Sequence, residues 1–181
     1  LRKKRRKNMK FKEFPLGKVN SLLESGPVIL VATVHNGRQN VMPMSWHMMV
    51  DFNPPLVSFV MSDENYSFGL LSESGECVIA IPTLEIADKA VKCGKISGSE
   101  TDKFTAFELT TCKAEMVAAP LIEGCYANLE CRVADTSLVK RYGLFIVEVV
   151  KAWINPEMSE PKTIHHLGKD DYMVSGYKIK L

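Results

Sequence analysis

The sequence predicts a mainly β protein, a closed or nearly closed antiparallel barrel carrying a few short helices. Three observations predict it. Short apolar runs rich in β-branched residues recur along the chain, as in Pro27–Val34 and Leu56–Met61. Turn signals separate them, the clearest being Asn36-Gly37, which accepts the positive φ angles of a tight hairpin. Strands do not alternate with long helices, which argues against a doubly wound parallel sheet.

Taken in order, residues 19–25 (VNSLLES) read as a short helix with Gly26 as its C-terminal cap. Pro27–Val34 is a buried strand, and Asn40–Val50 its return strand after the turn. Asn53-Pro54-Pro55 stops that strand, because neither proline donates to a ladder. Leu56–Met61 is a third strand. Residues 62–75 read as a turn and a helix, capped by Ser62 or Asp63 and ended by Gly75, with Tyr66, Leu70 and Leu71 as its apolar stripe. Glu76–Pro82 is a strand, and Thr83 stands as N-cap to a helix over 84–94. Residues 94–104 form a loop in which Asp102 suits the cap of a following short helix. Cys112–Ala118 and Gly124–Thr136 read as strands, the second with broken alternation that implies a bulge. Gly143–Asn155 is a long strand with Phe145, Val147 and Val149 on one face, and residues 165–181 are loop with one short strand.

A chain of 181 residues makes one domain with room for a sizeable core. The net charge of +2 comes from 23 basic and 21 acidic residues, and six of the basic ones lie in Arg2–Lys7. Removing those six leaves 17 against 21, or −4, so basicity belongs to the tail. That tail fits a nucleic-acid or anionic-surface patch. It fits better a disordered extension over residues 1–8, ahead of a single domain at 9–181. The second reading is adopted, since no aromatic residue interleaves the charges for stacking. No run approaches the ~18–20 apolar residues of a membrane span. The five cysteines are odd in number and form no Cys-x-x-Cys pair, which points to a reducing cytoplasm rather than a disulfide framework or zinc site. Cys77 and Cys131 read as core residues, while a site role stays open for Cys93.

The Gly-x-Gly-x-x-Gly and Gly-x-x-x-x-Gly-Lys-Ser/Thr nucleotide signatures are missing. Three stretches carry other chemistry. In Pro43–His47, Ser45 offers a hydroxyl, Trp46 a flat surface and His47 a ring that titrates near neutrality. The same residues also describe a core tryptophan beside a histidine bonded to backbone. Asn65-Tyr66-Ser67 opens a helix, where free N–H groups and the dipole attract anions, or where capping alone explains the pattern. Residues 94–104 combine permissive glycines, the Ser97 and Ser99 hydroxyls and the Lys103 charge, as a binding loop or as a mobile surface loop would. His165-His166 has no Cys or carboxylate at metal-ligand spacing. No nucleophile–base arrangement stands out, so no catalytic residue is named.

Together these stretches resemble a known family. The run NVMPMSWH, followed by NPPLV, NYSF, ECVIAIPT and CGKISGSETDKF, is similar to the flavin reductase-like, FMN-binding split-barrel family, the flavoredoxin-like branch above all. The likeness continues through LECRVAD and GLFIVEVVKAWI and covers nearly everything after about Leu22. Each motif alone is common; their order and spacing are specific. The resemblance implies a homodimeric split β-barrel that binds FMN near its dimer interface. It implies either hydride transfer from NADH or NADPH to flavin, or electron carriage to a redox protein partner. Carried over by position, Met44, Ser45, Trp46 and His47 line the flavin, with Ser45 donating to it. Asn65, Tyr66 and Ser67 lie near the ribityl phosphate, and Ile81, Pro82, Thr83, Ser97, Gly98 and Lys103 border the ring or ribityl chain. Two positions depart from the pattern: Asn53 stands where the family often has Asp, and Ala80 where it often has Asn. Losing that amide removes a hydrogen bond worth on the order of 1 kcal/mol. An FMN site also explains the absence of acid–base machinery, because redox chemistry belongs to the cofactor. The rival from another class is a non-enzymatic barrel whose Trp46 and methionines are core.

Overall fold

A computed structural model of the chain describes residues 11–180, so the basic extension expected at 1–8 lies outside the described residues. The chain enters through strand β1 (Lys12–Glu13), a 3-10 turn and the single-turn helix α1 (Asn20–Leu23), which buries Leu22 and Leu23. Gly26 then takes φ +67°, a region glycine enters without a Cβ clash. β2 (Ile29–His35) and β3 (Arg38–Met44) form the expected hairpin, with Asn36 and Gly37 both at positive φ. β4 (His47–Phe52), β5 (Pro55–Val60), helix α2 (Tyr66–Ser74) and β6 (Glu76–Pro82) follow. After them come α3 (Ala87–Lys92), α4 (Lys103–Ala106), β7 (Thr111–Cys112), β8 (Leu121–Ile122) and β9 (Cys125–Asp135). The chain continues through α5 (Val139–Tyr142), β10 (Leu144–Ile154), β11 (Ile164–Gly168) and β12 (Asp171–Val174).

The main sheet runs β3-β2-β6-β9-β10-β5-β4, with β1 beside β10, and its ladders are antiparallel. β3 and β4 occupy its opposite ends, yet only Ser45 and Trp46 separate them in the chain. Three peptide steps span at most about 11 Å. The sheet has therefore curled until its two ends meet, closed by a covalent corner rather than a ladder. That corner is why the single strand expected over 40–50 is two strands. The fold is a split antiparallel barrel with short inserted helices.

Alternation along the strands sorts side chains into two cores. Ile29, Val31, Met44, Phe59, Ile79, Ile81, Leu129 and Phe145 fill the barrel interior. Leu30, Ala32, Val41, Val78 and Ala80 face outward and pack with Cys93 at the end of α3, Phe104 of α4 and residues around β7 and β8. Cys77 and Cys131 stand opposite each other inside the barrel, and all five cysteines are free thiols.

Several local expectations are corrected. The strand expected over 112–118 shrinks to Thr111–Cys112. Glu130, fully buried on β9, accepts from the backbone N–H groups of Glu115, Met116 and Val117 and from the Trp153 indole. Those N–H groups go to a carboxylate instead of a ladder. The helix over 84–94 splits into a 3-10 turn and α3, and the Thr83 hydroxyl makes no cap bond. The terminal segment folds into the β11–β12 hairpin, and irregular register marks β9 and β10 where broken alternation implied a bulge. Among the described residues, no helix is long and apolar enough to cross a membrane.

Candidate functional site

Two cavities flank the N-terminus of α2. The smaller, about 320 Å³, is polar, and four separate segments build it: the middle of β3, the start of α2, the 93–98 loop and Lys103 of α4. Its floor comes from an inward polar cluster at the end of the barrel. Asn40 donates to the Ser67 hydroxyl at 2.9 Å, and Thr33 donates to the same oxygen at 3.2 Å. All three side chains are buried, and Asn40 Oδ1 has no hydrogen-bond partner. Buried acceptors are rarely left so. Gly98 sits directly on this amide: a Cβ there would fall 2.1 Å from Asn40 Oδ1. The glycine is required for close approach, not for an unusual φ.

The α2 end supplies donors. Asn65 is its extended N-cap residue, but its side chain caps nothing; Phe68 N–H donates to the Asn65 carbonyl at 2.8 Å, and the N–H groups of Tyr66 and Ser67, like the first ones of any helix, have no intrahelical partner. They open on a cavity that also holds the Ser97 hydroxyl, which is hydrogen-bonded to Ser99 at 2.8 Å. Lys95 stands at the rim in an ion pair with Asp170.

Lys103 is buried. Its ammonium donates to the Val41 carbonyl at 3.1 Å and the Cys93 carbonyl at 2.7 Å, so it ties the loop to β3 and keeps one N–H in reserve. Burial holds its pKa below the usual lysine range. Burial likewise pushes the Cys93 thiol up to about 11, which makes it a packing residue rather than a nucleophile. Asp102 caps α4 as expected, accepting from Phe104 and Thr105. The Thr105 hydroxyl bond is the main reason its carboxyl titrates below the ordinary range.

Asn65 also lines the larger cavity, about 1040 Å³. Trp46, Met61, Phe68 and Phe145 wall it, with Phe68 edge-on to Phe145 at 5.4 Å. Lys140, Arg141 and Tyr142 of α5 form its far rim. Gly143 fixes that rim. Its carbonyl accepts from Met61 N–H at 2.9 Å, its φ is +64°, and a Cβ would lie 2.3 Å from the Met61 carbonyl oxygen.

The structure thus brings Asn65, Tyr66, Ser67, Ser97, Gly98 and Lys103 to one cavity and Trp46 to its neighbour. The others lie elsewhere. Met44 and Ile81 point into the barrel core. Pro82 is buried where β6 pairs with Cys125. Ser45 turns the corner between β3 and β4. His47 Nε2 donates to the Pro27 carbonyl at 2.7 Å, leaves Nδ1 buried without a partner, and lines a separate cavity beside Glu24 and Asp51. Burial lowers its pKa despite that backbone bond. Thr83, its hydroxyl also unpartnered, lines a cavity with Glu85 and Glu157. Ala80 packs in the outer core and lines neither flanking cavity. Trp46 is not core: it is 72% exposed. Sequence reasoning missed Asn40 and Thr33, although polar residues in register with inward Met42, Met44, Ile29 and Val31 were a readable signal. It also missed Lys140 and Arg141, for which helix-like VKRY carries none.

A split barrel with a polar pocket at a helix start, beside an aromatic slot that shares Asn65 with it, has the cavities a ligand-binding barrel needs. The model of the flavin reductase-like domain matches residues 23–172, and the chain belongs to that family. It is 28% identical over 184 residues to the uncharacterised protein YddH of Escherichia coli, covering 94% of this chain and 97% of that one. It is similar in structure to an FMN-binding domain of a flavin reductases-like enzyme from Shewanella baltica. The TM-score is 0.90 at 24% identity, over 95% of this chain and 97% of the other. It is also similar to the flavoredoxin of Methanosarcina acetivorans, with a TM-score of 0.75 at 24% identity over 86% and 87%.

Proposed function

We propose that this chain is an FMN-binding flavoprotein that takes a hydride from NADH or NADPH onto the flavin. The observation that carries this reading is the pair of cavities that share Asn65 in their linings. The polar one offers N–H groups and hydroxyls to a phosphate. The apolar one offers Trp46, Phe68 and Phe145 to a flat ring system. The names of the similar proteins, one FMN-binding and one a flavoredoxin, support the same ligand.

FMN supplies the two-electron chemistry when bound. The protein's own residues bind and orient. Ser67 and the α2 N–H groups hold the phosphate end, Gly98 lets the loop close over Asn40, and Phe68 and Phe145 exclude water from the ring. The half-open larger cavity leaves one face for the donor.

The second reading is a flavoredoxin-type carrier that passes electrons to a protein partner. The broad exposure of Trp46 at the cavity mouth favours it. A homodimer fits either reading. On β4, an edge strand, Met48, Val50 and Phe52 are exposed apolar residues (63%, 45% and 59%) that a second copy would cover. The free thiols suit a reducing cytoplasm.

The test is anaerobic mixing of FMN-loaded protein with NADH or NADPH. Bleaching of the flavin bands by either is expected of the reductase. Bound flavin that neither bleaches leaves the carrier, and protein that takes up no FMN refutes both.

A further inference from the structure

Ser67, the second residue of α2, receives two hydrogen bonds on one oxygen. Thr33 and Asn40 are cross-strand partners in the β2–β3 hairpin, and both side chains reach the Ser67 hydroxyl. Asn40 Nδ2 donates to it at 2.9 Å and the Thr33 hydroxyl at 3.2 Å. All three side chains are buried, Thr33 and Ser67 with no exposed surface.

A serine hydroxyl has two acceptor lone pairs and one donor. Here both lone pairs are occupied. What remains is the O–H, and among the described residues it donates to none. Ser67 lines the polar cavity, whereas Thr33 is not part of the lining. The unspent proton is therefore what Ser67 has left to give a ligand there. A hydroxyl that rotates freely meets a ligand as donor or as acceptor; this one is held to donation. The unpaired N–H groups of Tyr66 and Ser67 and the spare N–H of Lys103 also only donate. A group that only accepts satisfies them all, and a fully ionised phosphate is such a group. A phosphate monoester that has kept its second proton, lost at pH ~6 in water, brings an O–H that finds its acceptor on Ser67 already taken.

We infer that Thr33 is a positioning residue: with Asn40 it fills the acceptor side of Ser67, holds that hydroxyl as a donor, and so tunes the polar cavity to a doubly ionised phosphate. The inference rests on the FMN reading and goes beyond it. It names the ionisation state that the site selects and a residue behind the lining that sets it.

The titratable groups in the lining are Glu64, Tyr66, Cys93, Lys95 and Lys103. All of them are common to the parent and to Thr33→Val, which keeps the shape of the side chain and removes its hydroxyl. The difference between the two proteins therefore reads Thr33.

The experiment follows the phosphorus NMR resonance of FMN-loaded protein through the second ionisation of the phosphate, beside titrations with FMN and riboflavin at neutral pH. Hydrogen bonds to the charged form favour it, so the phosphate bound to the parent should ionise about one pH unit or more below free FMN. In Thr33→Val that ionisation should move back up by about half a unit or more. The same variant should bind FMN about three- to tenfold more weakly, with riboflavin affinity changed less than about twofold. Thr33→Ser restores the hydroxyl and should match the parent in both readings. Thr33→Ala gives the readings of Thr33→Val should the valine not fold. Three results overturn the inference and leave the FMN reading intact: a bound phosphate that ionises as free FMN does in the parent, one whose ionisation is unmoved by loss of the hydroxyl, or an equal loss of riboflavin. A Thr33→Ser protein that behaves as Thr33→Val overturns it as well. A parent protein that takes up no FMN overturns both.

Discussion

Gly98→Ala is the sharpest single perturbation of the polar cavity. The new methyl would sit 2.1 Å from Asn40 Oδ1, far inside contact distance. Either the Asn40 amide moves or the 93–98 loop lifts. If the amide moves, its 2.9 Å bond to Ser67 breaks, at a net cost of about 0.5–1.5 kcal/mol, and the Ser67 hydroxyl it leaves behind is buried. If the loop lifts, Ser97 and the α2 end no longer face one ligand. Both routes weaken FMN by about 1.5 kcal/mol, roughly tenfold in Kd. The assay is FMN titration by quenching of its fluorescence. A double-mutant cycle isolates the cause. Asn40→Ala opens the space the methyl needs, so Gly98→Ala should cost nothing more in that background. An unchanged Kd in Gly98→Ala, or two additive losses in the double variant, would refute this account of the cavity.

Three other outcomes are expected. The His47 pKa is lowered by burial, so the unfolded chain, titrating near 6.5, takes up the proton first. This contribution to stability is complete above pH 6.5 and is lost as pH falls through the folded-state value. Urea midpoints at pH 8 and 5.5 should differ less in His47→Gln than in the parent. Glu130→Gln presents an NH₂ group to donors that now share a carboxylate, and should cost about 3 kcal/mol of stability; an unshifted denaturation midpoint would contradict it. Gly143→Ala combines the 2.3 Å approach to Met61 O with a left-handed φ that alone costs about 1–2 kcal/mol, so its thermal midpoint should fall clearly below the parent's.

What could be read from the sequence was local chemistry. Asn36-Gly37 marks its hairpin because only certain residues hold two positive φ angles. Asp102 marks its cap because a short carboxylate reaches the N–H groups two and three residues on. Phe145, Val147 and Val149 mark the inward face of β10 through their period of two. What could not be read was decided at a distance. From Val41 to Val50 only Ser45 and His47 are polar, and no glycine or turn dipeptide marks a break at Ser45–Trp46; closure of the barrel makes it. Residues 112–118 look like a strand until Glu130, far along the chain, claims their N–H groups. A lysine in a glycine- and serine-rich loop reads as a ligand's cation, yet Lys103 spends two of its three donors on carbonyls of Val41 and Cys93.

In the FMN reading one ligand spans both cavities, with its phosphate at the start of α2 and its ring against Trp46 and Phe145. Comparing the affinities of FMN and riboflavin for the purified protein tests it most directly, since the two differ only by the phosphate. FMN should bind at least a hundredfold tighter, about 2.7 kcal/mol, and stay with the protein through desalting while riboflavin is lost. Equal affinities would contradict the phosphate site at Asn65–Ser67, and the placement of the ring would fall with it.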